Sequence, residues 1–220
     1  MKSLAQDARG EVVLVFARAP TRGAVKTRLA ATVGDDAALA VYRWLAERTL
    51  RALGGPARTW TLRALVAGDV EALGGWRALV DEVRSQRGGD LGARMAAAMG
   101  DALREGYARV VIVGTDCPTL DAARVRAALQ ALREAPAVIG PALDGGYYLL
   151  GGSAPLPVFD GVPWSTAVVA DETRARLARA GLPWRELSAE PDIDRAEDLA
   201  HLASREDCPD WIRALASGGA

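Results

Sequence analysis

The chain has 220 residues, a formal net charge of -1, 50% hydrophobic and 25% charged residues, and a mean hydropathy near zero. That length and balance suit one globular core and predict a single domain over residues 1–220, while the lack of a basic excess speaks against nucleic acid as a partner. No apolar run approaches the roughly 18 residues of a membrane span. The opening MKSLAQDARGE has no signal-like apolar core, and Cys117 and Cys208 stand far apart outside any disulfide or zinc spacing, so a reducing cytoplasm is the expected location, with no membrane partner.

In chain order, residues 12–16 (VVLVF) read as a strand buried on both faces. The chain then releases four cations, Arg18, Arg22, Lys26 and Arg28, without an acid among them, around bends at Pro20 and Gly23. Cations leading toward a helix start oppose its dipole, so they are poor helix stabilisers there. An anion explains them better: Arg grips a phosphate through two donors and Lys acts as a point charge. A solvated basic loop is the alternative. Val25 precedes Lys26 where a phosphate-binding P-loop requires Gly, which excludes that motif.

A helix is expected over 35–53, a turn at 54–56 (GGP), a strand over about 60–66 and a helix over 90–105, where Asp90 and Arg94 stand four apart and can pair. Residues 110–114 (VVIVG) form the next expected strand, ending in Gly114, which permits close backbone approach. Asp116 follows at the carboxyl edge, where open α/β sheets gather ligands, and can hold magnesium against a phosphate; an Asx turn before Pro118 is the plainer reading. Cys117 reads as a packed residue rather than a nucleophile.

A helix over 121–134 and a strand over 137–140 lead to Asp144, Gly145 and Gly146, a tight turn that brings backbone close to a ligand or merely closes a hairpin. In the strand that follows, 146–150 (GYYLL), Tyr147 and Tyr148 alternate faces, so one suits the core and the other a ligand. A helix is expected over 166–180. In EPDIDRAEDL, Asp192 and Asp194 fall on one side of an extended segment and can complete a metal site; alternatively Asp194 caps a helix from about 196. His201, the single histidine, reads as a surface or packing residue away from every motif, and 204–220 as a short helix and tail. The alternation of runs predicts an α/β fold with a mostly parallel central sheet and helices on both faces.

The ordered stretches FARAPTRGAVKTRL, QRGGDLGARM, GTDCPTL, GPALDGGYYLLGG, PWST and DIDRAEDL, spread over about residues 11–203, resemble a bacterial glycosyltransferase-like or nucleotidyltransferase-like family that includes arsenosugar-biosynthesis glycosyltransferases. More distantly the chain is similar to 2-phospholactate and molybdenum cofactor guanylyltransferases. The resemblance implies the Rossmann-like nucleotide-diphospho-sugar transferase fold of GT-A type. It further implies phosphate contacts from Arg18, Lys26 and Arg28, a metal (Mg2+ or Mn2+) on Asp116 and Asp194, and a ligand-facing turn at Asp144, Gly145 and Gly146. Gln86, the backbone of 88–92 and Arg94 would border a nucleotide. Trp164, Ser165 and Thr166 would face the acceptor, unless Thr166 caps the helix expected from about 167. Two departures are Arg18 in place of a usual Lys, and DIDRAED in place of a usual Asp-Ile-Asp-Thr-Pro-Glu-Asp.

Chemistry chooses among the family's reactions. An acceptor phosphate is already ionised and needs no base, which suits a chain without a histidine among its motifs, whereas inverting glycosyl transfer to a hydroxyl wants a base, for which Asp144 is the candidate. The expectation is therefore a metal-dependent nucleotidyltransferase acting on a nucleoside triphosphate and a small phosphorylated or phosphonylated acceptor, with Lys26, Arg28, Asp116 and Asp144 as its catalytic candidates and Gly23 and Gly114 shaping the phosphate site. A glycosyltransferase using a nucleotide sugar and an inactive nucleotide-binding module are the alternatives.

Overall fold

The structure, a computed structural model, describes residues 9–218. A strand β1 (Arg9–Arg18) is followed by a seven-residue helix α1 (Thr27–Val33) and a nineteen-residue helix α2 (Asp35–Leu53). Then come β2 (Trp60–Ala67), a kinked 3-10 segment (Val70–Leu79), β3 (Glu82–Ser85), α3 (Leu91–Arg104) and β4 (Tyr107–Val113). The second half holds α4 (Ala122–Ala131), β5 (Ala137–Pro141), β6 (Tyr147–Gly152), α5 (Val169–Arg179), β7 (Trp184–Glu186), α6 (Leu199–Ala203) and α7 (Asp210–Ala216). No helix among the described residues is long and apolar enough to cross a membrane.

The seven strands form one sheet in the order β3-β2-β1-β4-β6-β5-β7. Every neighbouring pair is parallel except those made by β6, which runs antiparallel to both β4 and β5. The mostly parallel sheet expected from the alternating pattern is thus present. Its central strands read as unbroken apolar runs because both faces are covered. Along β1, Val13 and Val15 pack on one side with Leu50 of α2 and Leu129 of α4, while Val12 and Leu14 pack on the other with Met99 of α3 and Leu177 of α5. A third cluster joins Leu29 of α1, Leu45 of α2, Leu199 and Leu202 of α6 and Ile212 of α7 around Ile193.

Several boundaries differ from the sequence pattern. The helix expected from about 167 starts at Val169, after a run of turns that includes a left-handed Ser165 (φ 65). Thr166 does not cap it; its hydroxyl donates to the Pro163 carbonyl at 2.7 Å. The helix expected from about 196 begins at Leu199, and Asp194 is not its cap.

Candidate functional site

A cleft of about 650 Å³ opens where β1, β2 and β4 end, lined by the terminal residues Arg18, Ala67 and Val113. Parallel strands all deliver their carboxyl ends to one edge, and the loops that leave them form the crevice there. Three cations of the opening stretch, Arg18, Lys26 and Arg28, line this cleft, and Arg94 of α3 joins them. The fourth, Arg22, turns away to Asp36 (2.7 Å) and Asp35 (3.3 Å) at the start of α2. Gly23 (φ 73) does not reach the cleft; it supplies the left-handed turn of the preceding loop.

Lys26 is the most constrained of these cations. Its side chain is only 4% exposed, its ammonium lies 2.5 Å from Asp116 Oδ1, and it donates to the Ile193 carbonyl. Two remote segments therefore meet on one charge: the loop after β4 and the extended stretch before α6. A backbone bond from Ile193 N–H to the Asp116 carbonyl (3.0 Å) holds the same junction. Ile193 is fully buried, which leaves its flanking residues, Asp192 and Asp194, at the wall of a cavity. Asp194 accepts from Arg28 at 2.6 Å. The expected site residues Lys26, Arg28, Asp116 and Asp194 thus come together as two facing ion pairs.

Among described non-glycine residues, Lys26 (φ 49) and Ser165 (φ 65) are the two with left-handed backbone, and both line the cleft. Such conformations cost about 1–3 kcal/mol each and persist where surrounding structure imposes them, often at functional sites. Tyr42 of α2, which no sequence motif announced, fixes the end of β1: its hydroxyl accepts from the Arg18 N–H and donates to the Arg18 carbonyl, both at 2.8 Å.

The expected pair between Asp90 and Arg94 does not form. Asp90 caps α3 by accepting the Ala93 N–H at 2.8 Å, and Arg94 Nε donates to the Gly89 carbonyl. Gln86 lines the cleft, but its amide donates to the carbonyls of Ala17 (3.0 Å) and Leu65 (2.9 Å), so only its oxygen is left for a ligand. Gly114 also lines it, and a side chain there would meet nothing within 4 Å.

A second cavity of about 400 Å³ adjoins the first and shares Arg28, Ser165 and Asp194 with it. Asp144, Thr166 and Asp192 line it. So does His201, which therefore does not lie away from the motifs, because α6 folds back over the segment that carries Asp192 and Asp194. Asp144 accepts the Gly146 N–H at 2.8 Å, closing the turn. Gly145 (φ 89) has no room for a side chain: a Cβ would lie 2.0 Å from the Ala167 carbonyl oxygen. Gly145, Gly146 and Trp164 build walls rather than line either space. Trp164 stands over Gly92 and meets the Tyr147 ring edge-on at 6.5 Å, and Tyr147 itself reaches the main cleft. Tyr148, on the opposite face, packs in the core and also borders the main cleft, so the two tyrosines do not divide cleanly between core and ligand. Cys117 is buried, and burial pushes its thiol up, as befits a packed residue.

Among the described residues no three His, Cys, Asp or Glu side chains form a ready-made metal cage. Magnesium does not require one, since it commonly takes one or two carboxylates and fills its shell with water and phosphate. The donors present fit that pattern. Asp116 Oδ1 is buried without a hydrogen bond despite its contact with Lys26. Asp192 is pushed up to about 6 by burial, then by the charges of Asp144 and Asp116. At Asp116 the negatively charged oxygen left without a hydrogen bond is what a hard divalent cation relieves.

Asp192 also carries a stability consequence. A carboxyl whose folded pKa is raised from 3.8 to about 6 is protonated in folded and unfolded chains alike below 3.8, and costs stability as pH rises from there through 6. Asp192→Asn should then melt higher than the parent at pH 7.5 in chelator, by about 1–2 kcal/mol after allowing for its partial exposure to solvent. The gain should vanish near pH 4. A constant difference across that range, measured by thermal denaturation, would contradict the assignment.

The family model DUF2064, described as an uncharacterized protein conserved in bacteria, matches residues 57–166. The crystal structure of a "putative nucleotide-diphospho-sugar transferase" from Desulfovibrio desulfuricans G20 is 35% identical, covers 94% of this chain and 92% of that chain, and has a TM-score of 0.81. Two more distant structures share the fold. A cytidylyltransferase from Leptospira borgpetersenii serovar Hardjo-bovis (strain JB197) has 14% identity, coverage of 88% and 85%, and a TM-score of 0.53. The 4-diphosphocytidyl-2C-methyl-D-erythritol synthase of Anaerococcus prevotii DSM 20548 has 10% identity, coverage of 87% and 96%, and a TM-score of 0.53. No curated protein sequence matches the chain. The fold is thus like that of nucleotide-diphospho-sugar transferases.

Proposed function

The chain belongs to the bacterial protein family DUF2064, and from that premise we propose that it is a metal-dependent nucleotidyltransferase, joining a nucleoside triphosphate to a small phosphorylated or phosphonylated metabolite with loss of pyrophosphate. The observation that carries this reading is the convergence of Arg18, Lys26, Arg28 and Arg94 on one cleft. Two carboxylates, Asp116 and Asp194, share that cleft, and each is already paired with a cation. A triphosphate brings more negative charge than those two acids, and can take over the same cations as it binds.

In the reaction, an acceptor phosphoryl oxygen attacks the α-phosphorus while pyrophosphate departs. Arg18, Lys26, Arg28 and Arg94 hold phosphate oxygens and oppose the charge that builds on them, and the left-handed loop at Lys26 fixes its ammonium before substrate arrives. Asp116 and Asp194 would hold magnesium or manganese, which when bound neutralises phosphate charge. The acceptor needs no base, and Asp144, engaged with the Gly146 N–H, acts in shaping the second cavity.

Glycosyl transfer from a nucleotide sugar is the competing reading, drawn from the description of the Desulfovibrio relative. The two reactions leave different products. Pyrophosphate released from a nucleoside triphosphate only when a phosphorylated acceptor is present supports the proposal; nucleoside diphosphate released from a nucleotide sugar overturns it. Asp116→Asn should remove most of the metal-dependent turnover while leaving the fold intact, as read by activity against magnesium concentration. Full activity with unchanged magnesium dependence in that variant would remove Asp116 from the metal site.

A further inference from the structure

We infer that the second cavity seats the acceptor and selects one bearing a primary ammonium group, so that the acceptor is an aminoalkyl phosphate or phosphonate. This rests on the nucleotidyltransferase reading above. The cavity and the main cleft meet at Arg28, Ser165 and Asp194, so a molecule occupying both passes beside Arg28.

The two spaces carry opposite charge. The main cleft sets four cations against two carboxylates. The second sets Asp144, Asp192, Asp194 and Asp198 against Arg28 and Arg195, with His201 beside them. Internal pairing does not cancel the excess. Arg28 answers Asp194, and Asp198 Oδ2 accepts the backbone N–H groups of Asp194 and Arg195. Asp144 accepts a single backbone N–H, and among the described residues neither Asp144 nor Asp192 forms an ion pair.

A second anionic group placed there meets repulsion, whereas a cation rich in donors meets open carboxylate oxygens. Among the described residues no Phe, Tyr or Trp lines the cavity, so a quaternary ammonium finds none of the aromatic faces that hold it, while the three donors of a primary ammonium suit Asp144 and Asp192. Cationic cleft followed by acidic cavity therefore selects a zwitterion, with its phosphoryl end beside Arg28 and its ammonium beyond. In the transfer, one acceptor phosphoryl oxygen bonds to the α-phosphorus and the bond from that phosphorus to the oxygen bridging toward the β-phosphorus breaks. Pyrophosphate leaves with that electron pair, and the ammonium keeps its protons.

The test gives the whole protein magnesium, each of the four nucleoside triphosphates and one of four acceptors, 2-aminoethyl phosphate, ethyl phosphate, glycerol 3-phosphate or choline phosphate, and reads pyrophosphate. The expected result is a kcat/KM for 2-aminoethyl phosphate about tenfold or more above each of the others, since an acceptor without the ammonium leaves both carboxylates unanswered. In Asp144→Asn and Asp192→Asn that ratio should collapse toward one; an amide at 144 keeps the oxygen that accepts the Gly146 N–H, so the turn survives. Equal or faster release with ethyl phosphate or glycerol 3-phosphate overturns the ammonium selectivity and leaves nucleotidyl transfer standing. Preference for choline phosphate overturns the choice of a primary amine. No pyrophosphate with any acceptor overturns the inference together with the reading beneath it.

Discussion

Lys26→Met lowers kcat/KM for nucleotidyl transfer by about 10²–10³-fold, the loss typical of removing one preorganised donor from a site of developing charge. The side chain is nearly buried and held between Asp116 and the Ile193 carbonyl, so its ammonium is in place without reorganisation when phosphate arrives. Met keeps the volume of the stem and removes the charge. Asp116 then loses its facing cation, which weakens anion binding twice over, through one fewer positive charge and one uncompensated negative charge. Thermal denaturation separates this from unfolding: a folded variant with triphosphate affinity equal to the parent's would remove Lys26 from the phosphate site.

Arg63→Ala should destabilise the protein by about 3–5 kcal/mol, the cost of breaking a buried charge network by deleting one member. Arg63 lies mid-strand in β2 and is fully buried, donating to Glu82 at 2.9 Å and to Glu105 at 2.6 Å, with its guanidinium 5.6 Å from the centre of the Tyr107 ring. Without it two partly buried carboxylates face each other, although Arg84 still pairs with both. For a chain of this size the melting temperature should fall by roughly 6–20 °C. Replacing Arg63 by Met together with Glu82→Gln and Glu105→Gln should recover most of that loss, since no charge is then stranded. Equal melting temperatures for parent and Arg63→Ala would show that the network contributes nothing.

Arg63 marks where sequence reasoning stops. In WTLRALV it interrupts an apolar run, and its partners lie 19 and 42 residues away, so no local pattern announces the network. The central strands were legible because burial on both faces leaves continuous apolar runs. Edge strands β3 (EVRS) and β7 (WRE) carry no such run, being half-exposed and only four and three residues long. Helix α1 was hidden for another reason: it begins behind a left-handed Lys26 with no side-chain cap, so only its end, at Gly34, shows a usual signal.

The site divides in the same way. Asp116 stood out because it follows a buried strand, and Lys26 because cations gather where no acid balances them. The pairing of Arg28 with Asp194, 166 residues apart, depends on Ile193 docking into the cluster formed by α1, α2, α6 and α7, which is a property of packing rather than pattern. His201 reaches the second cavity through the same docking. Asp90 shows the opposite error, where an i,i+4 spacing suggested a pair but capping of the α3 N-terminus used the carboxylate first.

The decisive measurement is a calorimetric titration of the purified protein with ATP, GTP, CTP and UTP and with UDP- and GDP-sugars, each with and without magnesium. Nucleotidyl transfer predicts metal-dependent binding of one triphosphate more tightly than any nucleotide sugar. Tighter binding of a nucleotide sugar would contradict it and turn the cleft into a glycosyl-donor site.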